Sequence, residues 1–150
     1  MMLPTNILVA TDFSPTADRA LDYALALGAK LGARIHIVHV IGIPALGVPE
    51  SGLALARMTL DALVADGQVA LDRIADQHRN QAVLGEIVQR TGDARDEVLQ
   101  VAKEVHADLI VIGTRGRRGV ARALLGSVAE AIVRMAPCPV LTVGAKAVAL

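Results

Sequence analysis

The residues from Gly113 to Ser127 combine four glycines, four arginines and no acid. Glycine lets backbone N–H groups come close to a ligand and takes φ > 0 without a Cβ clash. Before this stretch, Asp108-Leu109-Ile110-Val111-Ile112 is a short apolar run rich in β-branched residues, which predicts a buried strand. After it, Val128, Ala131, Ile132 and Met135 recur at helical spacing, with Ser127 where the helix begins. The stretch is therefore a strand-to-helix connection, far longer than the roughly two to six residues usual in such a link. A helix N-terminus presents unpaired N–H groups and a partial positive charge. Glycines, arginines and a helix start together make a phosphate cradle. The competing reading is a solvated surface loop, and the helix that follows tips the balance to the cradle. The run is not a P-loop, because no Gly-Lys-Ser/Thr closes it. Nor is it the G-x-G-x-x-G fingerprint, because Gly113, Gly116 and Gly119 stand every third residue.

Other chemistry-bearing residues are few. Asp12 stands just past an apolar run, Asn6 to Ala10, where it can reach a ribose hydroxyl or a phosphate-bound magnesium ion. It can equally be a turn-forming Asp before a helix. Arg115, Arg117, Arg118 and Arg122 can pair with phosphate, although at least two of them are expected in solvent. His36 and His39 lie at odd spacing on one strand, so they point to opposite faces and cannot share a metal. His78 and His106 fall on helices far apart in sequence, and a helix C-terminus accounts for His106. No metal-ligand cluster and no Ser/His/Asp set emerges from the spacing. The single Cys138, between two prolines, reads as a small buried apolar residue rather than a nucleophile.

The elements that position these residues alternate. Asn6–Ala10 predicts strand one. Ser14 can cap a helix whose first position suits Pro15, whose face is Ala17, Leu21, Ala24, Leu25, Gly28 and Leu31, and which Gly32 can end. Arg34–Ile41 is strand two. Gly42–Gly52 is a loop, and a long helix follows somewhere after Leu53 with Leu60, Leu63, Val64, Gly67, Leu71, Ile74 and His78 on one face. Val83–Arg90 is strand three. Gly92-Asp93 starts a helix faced by Ala94, Val98, Val101, Ala102 and Val105. Strand four, the glycine-rich stretch and the last helix come next; Pro137-Cys138-Pro139 breaks that helix before strand five, Val140–Val143. Such alternation predicts an α/β fold, a parallel sheet with helices on both faces, with residues 1–150 as a single domain. In such sheets ligands bind beyond the carboxyl ends of the strands, where the strand order reverses.

Composition sets the outer bounds. The chain has 150 residues, 53% hydrophobic, with one Phe, one Tyr and no Trp, so its core must be aliphatic. Fifteen basic and fifteen acidic side chains cancel, which argues against a partner held by bulk electrostatics such as nucleic acid. No apolar run reaches the length of a membrane span, no signal-peptide pattern opens the chain, and one cysteine suits a reducing compartment; the expected location is the cytoplasm.

The spacing Gly113-x2-Gly116-x9-Gly126-Ser127 resembles the ATP-binding signature of the universal stress protein family, and the resemblance extends over the chain apart from residues 42–58. It implies a Rossmann-like five-stranded sheet of order 3-2-1-4-5, which sets Asp12 and Gly113 on one crevice. It also implies that Asp12 lies in the nucleotide pocket, that Ala10, Thr11 and Val40 line the adenine and ribose side, and that Gly113, Arg115, Gly116, Gly126, Ser127, Val128 and Ala129 wrap the ribose and phosphates. Ala129 departs from relatives with a hydroxyl there, so one phosphate contact is missing and preference could shift from ATP towards ADP or AMP. The implied role is an ATP-binding stress-response regulator, with Mg2+ on the phosphates, that changes shape or protein partner when it binds. The alternatives are a slow ATPase, for which no general base beyond Asp12 is evident, and a relative that acts through protein contacts alone. A receiver-type signalling domain is excluded because strand three ends in Gln89-Arg90-Thr91 instead of a phosphoacceptor Asp. In the implied order the uncharged segment 139–145 forms a sheet edge, and both the exposed edge and the resemblance predict a homodimer through it.

Overall fold

The computed structural model describes residues 2–43, 49–80, 84–114 and 125–145. Five strands form an all-parallel sheet: β1 (Asn6–Thr11), β2 (Arg34–Ile41), β3 (Leu84–Thr91), β4 (Leu109–Gly113) and β5 (Val140–Val143), in the order β3-β2-β1-β4-β5. The helices between them are α1 (Pro15–Leu31), α2 (Leu53–His78), α3 (Ala94–Glu104) and α4 (Ser127–Met135). This is the α/β architecture and strand order expected above. The chain moves outward from β1 to β3, then returns to place β4 on the other side of β1. That reversal opens the β1/β4 switch point, where parallel sheets bind ligands.

Each face of the sheet has an aliphatic core. Ile7, Val9, Ile35, Ile37 and Val111 pack against Leu21, Ala24 and Leu25 of α1 and Leu71 and Ile74 of α2. Leu8, Val38, Ile110 and Ile112 pack against Val98, Val101 and Ala102 of α3 and Ala129 and Ile132 of α4. The alternation of odd and even positions between these layers follows from the two-residue repeat of a strand. Local chemistry fixes the helix ends. Ser14 Oγ accepts from the Ala17 N–H at 3.2 Å, Pro15 begins α1, and Gly32 ends it at φ 69°. The Asp93 carboxylate caps α3 through the Asp96 N–H. At the amino end of the sheet, the Asp108 carboxylate accepts from the Thr5 and Asn6 N–H groups and the Thr5 hydroxyl. Burial pushes that carboxyl up, but these hydrogen bonds outweigh it, and the net shift is downward.

Three expectations need correction. On α2 only Gly67, Leu71 and Ile74 of the expected face are buried; Leu63 and Val64 are exposed, beside Leu53, Leu55 and Met58. The cause is length: at about 1.5 Å per residue, a helix of 26 residues outruns strands of eight. Gln89 Nε2 donates to the Val64 carbonyl close to the end of β3, so the first turns of α2 project past the carboxyl edge. The expected loop from Gly42 to Gly52 holds a 3-10 turn at Glu50–Gly52. Cys138 is half-buried at the margin of the α3/α4 core, not fully buried, and its partial burial pushes the thiol up. Val83, the expected first residue of strand three, lies outside the described residues.

Candidate functional site

The carboxyl ends of β1 and β4 meet at the switch point. Ala10 stands opposite Ile112 in the ladder, so Thr11-Asp12 and Gly113-Thr114 leave the sheet side by side. On the other flank Ala10 pairs with Val38 and Thr11 with His39, which puts Val40 just beyond. Ala10, Val40, Leu125 and Val128 all lie on the α3/α4 face, partly buried against its core. They give the crevice an apolar flank of the kind a purine could cover.

The turn that leaves β1 is tightly tied. The Phe13 N–H donates to Thr11 Oγ1 at 3.0 Å, and the Ser14 N–H donates to Asp12 Oδ1 at 2.9 Å. Asp12 therefore performs the turn-forming role, and one carboxylate oxygen is engaged locally. Ser14 caps α1 as well, so its Oγ occupies the Ala17 N–H in the first turn of that helix. It is also acidic: burial first, then the charges of Asp22 and Asp12, raise the Asp18 carboxyl above its ordinary value.

The α4 end is the opposite. Its N-cap is Gly126, which has no side chain to offer, and among the described residues no side-chain hydrogen bond caps the helix. Ser127, Val128 and Ala129 form the first turn, whose N–H groups have no intrahelical acceptor. The Gly126 N–H donates to the Thr114 carbonyl at 2.5 Å, and the Thr114 N–H donates to the Val143 carbonyl at 2.9 Å. The glycine-rich connection thus leaves and re-enters at one point, anchored to β5. Ala129 is buried, its methyl packed in the α3/α4 core.

Of the residues singled out from sequence, Ala10, Thr11, Asp12, Val40, Gly113, Gly126, Ser127, Val128 and Ala129 belong to the ends of β1, β2 and β4 and the start of α4, all at the carboxyl edge. Arg115, Gly116, Arg117, Arg118, Gly119 and Arg122 lie outside the described residues. His36 and His39 occupy opposite faces of β2 as expected: Val38 and Val40 share the face of His36, and the His39 ring meets Phe13 of the α1/α2 layer at 4.3 Å. Sequence reasoning passed over His39, which stands beside Thr11 in the ladder. Its only signal was its place at the end of a strand, and that gains meaning once β1 is known as the neighbour.

The universal stress protein family model matches residues 4–144. The chain belongs to the universal stress protein family. A curated member from Thermus aquaticus is 39% identical over 141 residues, covering 92% of this chain and 97% of that one. Among solved members, the universal stress protein UspA of Lactobacillus plantarum superimposes with a TM-score of 0.84 at 26% identity, covering 93% of this chain and 97% of its own. A family member from Arabidopsis thaliana, solved with AMP bound, gives a TM-score of 0.68 at 26% identity, over 96% of this chain and 94% of that one.

Proposed function

We propose that this universal stress protein binds an adenine nucleotide, ATP with Mg2+ or its ADP or AMP counterpart, across the β1/β4 crevice, and that binding changes its shape or its choice of protein partner. The observation that carries the reading is the start of α4. Among the described residues no side chain caps that N-terminus, which starts beside Thr114 at the end of β4, whereas α1 at the same edge is capped by Ser14 and carries Asp18 in its first turn. Phosphate is the ligand such an end favours, through N–H donors and the helix dipole. The AMP in the Arabidopsis relative supports the base and the phosphate class. Ala10 and Val40 would meet the adenine and ribose side with Thr11. Ser127, the 127–129 amides and the Gly113, Arg115, Gly116 and Gly126 backbone would meet the phosphates. Magnesium would arrive on the phosphates, with Asp12 the carboxylate at hand. Ala129 has no hydroxyl to add, which favours the shorter phosphate chains. The cytoplasm, where such nucleotides are abundant and a lone thiol stays reduced, is the proposed location.

Affinity for MgATP or AMP in the micromolar range, about −8 kcal/mol, is expected by calorimetry. Denaturing freshly purified protein and identifying the released small molecules should yield an adenine nucleotide. No heat and no thermal shift with millimolar nucleotide would contradict the reading. Radiolabelled ATP separates a regulator from a slow ATPase, and the expected result is retention of ATP without ADP formation over many minutes.

We also propose that two copies pair through β5. The opposite edge, β3, carries Glu86 and Arg90 and a register shift, devices that discourage pairing. β5 carries no charge and no shift.

A further inference from the structure

Phe13 is a non-glycine residue at φ 61°. A bulky side chain rarely adopts that conformation, and it persists only where the surroundings over-determine it. Four contacts do so here. Thr11 Oγ1 and Asp12 Oδ1 hold the Phe13 and Ser14 N–H groups. The His39 ring lies 4.3 Å from the Phe13 ring at 41°. His39 Nδ1 is 2.8 Å from the Thr11 carbonyl, which can only accept, so Nδ1 carries the proton and donates. The imidazole is itself confined, since a Cβ on Gly67 of α2 would come within 3.2 Å of its Cδ2. The geometry points to His39 as a positioning residue for the nucleotide crevice: ring face and Nδ1–H together hold the Thr11–Ser14 turn left-handed at Phe13 and so fix the direction in which Asp12 leaves the sheet. This rests on the nucleotide reading above. It adds a residue that acts through the turn, and it links the crevice to the projecting helix α2 through Gly67.

The test separates the two claims. His39→Leu keeps volume but removes the donor; His39→Asn returns an N–H donor near the Nδ1 position. Loss of one such hydrogen bond should weaken MgATP or AMP binding about tenfold in His39→Leu, and His39→Asn, which restores the donor but not the ring contact, should recover part of the loss. Without any nucleotide, the Phe13 Cα and Cβ chemical shifts should report positive φ in the wild type and in His39→Asn, and should move towards ordinary values in His39→Leu. Should His39→Leu fail to fold, Thr11→Val removes the acceptor for the Phe13 N–H at nearly constant shape and should move the same shifts. Unchanged Phe13 shifts in the folded variants would overturn the positioning role, as would equal affinity loss in His39→Leu and His39→Asn. Absence of nucleotide binding in the wild type, with Phe13 shifts that still depend on residue 39, would sink the nucleotide reading and leave the turn mechanism intact.

Discussion

Gly113 and Gly126 belong to one spacing motif, yet they meet different constraints. A Cβ on Gly113 would lie 2.9 Å from Thr16 Cγ2 and 3.1 Å from the Thr16 carbonyl, so that glycine is needed to seat β4 under the first turn of α1. Substituting it damages the fold and says little about ligands. Gly126 sits at φ −67° and ψ 158°, a conformation open to any residue, so its replacement costs no backbone strain. Gly126→Val is therefore the cleaner probe. It should leave the circular dichroism spectrum intact and weaken nucleotide binding by more than about tenfold, because the branched side chain would stand where the proposed phosphate approaches the amides. Wild-type affinity in this variant would move the cradle elsewhere. Spacing alone could not distinguish the two glycines, since it records that a small residue is present and not which neighbour requires it. The same holds for Phe13: no glycine marks the left-handed position, because side-chain contacts from β1 and β2 enforce it.

At the scale of elements, the β2–β3 pairing contains a device absent from any local pattern. Ile35 pairs with Leu84 but Ile37 pairs with Ile87, so β3 carries one extra residue. The Glu86 N–H freed by this bulge donates to His36 Nδ1 at 2.9 Å, which makes Nδ1 the acceptor and Nε2–H the donor to Asn6 Oδ1 at 3.2 Å. A Cβ on Gly85 would strike His36 Cε1 at 2.5 Å. Burial, then the neighbouring Arg34, lower the His36 pKa from its ordinary 6.5, with Glu86 opposing. The histidine is neutral in the fold, so below about pH 6.5 the unfolded chain binds more protons. Its contribution is thus complete above that pH and is lost as pH falls towards the lowered native value. Urea midpoints should drop between pH 7 and 5 more steeply in the wild type than in His36→Leu. At pH 8 that variant should be less stable by about 1 kcal/mol, because the part-buried Glu86 N–H loses its acceptor. Parallel pH profiles would contradict the assignment. The helices were more legible than this bulge. Ser14, Pro15, Gly32 and Asp93 mark helix ends by chemistry that acts over a few residues. Periodicity named which α2 residues share a face but not where the sheet beneath them stops, so Leu63 and Val64 were misplaced.

At the scale of the whole molecule, the sheet order makes β1 and β4 neighbours and leaves β5 at an edge. The carbonyls of Pro139 and Val143 accept from Ile110 and Thr114, so odd positions of β5 face β4, and the N–H and C=O of Thr142 face outward. Leu141 and Val143 pack on the α1/α2 core, which makes Lys substitutions there a poor test of pairing. Thr142→Pro removes an outward N–H at an exposed position without breaking the β4 ladder. Light scattering should give twice 15.6 kDa for the wild type and a single-chain mass for Thr142→Pro, whereas a wild-type mass near 15.6 kDa would refute the β5 pair. Nucleotide binding should survive in the monomer, since the crevice is formed within one chain. The central claim, a nucleotide phosphate seated on the start of α4, is tested most directly by titrating MgATP or AMP into isotopically labelled protein and following the backbone amides. The Ser127, Val128, Ala129 and Thr114 signals should move together with one micromolar dissociation constant while those of Gly85 and Glu86 stay fixed; amides of 127–129 that remain unmoved at millimolar nucleotide would contradict it.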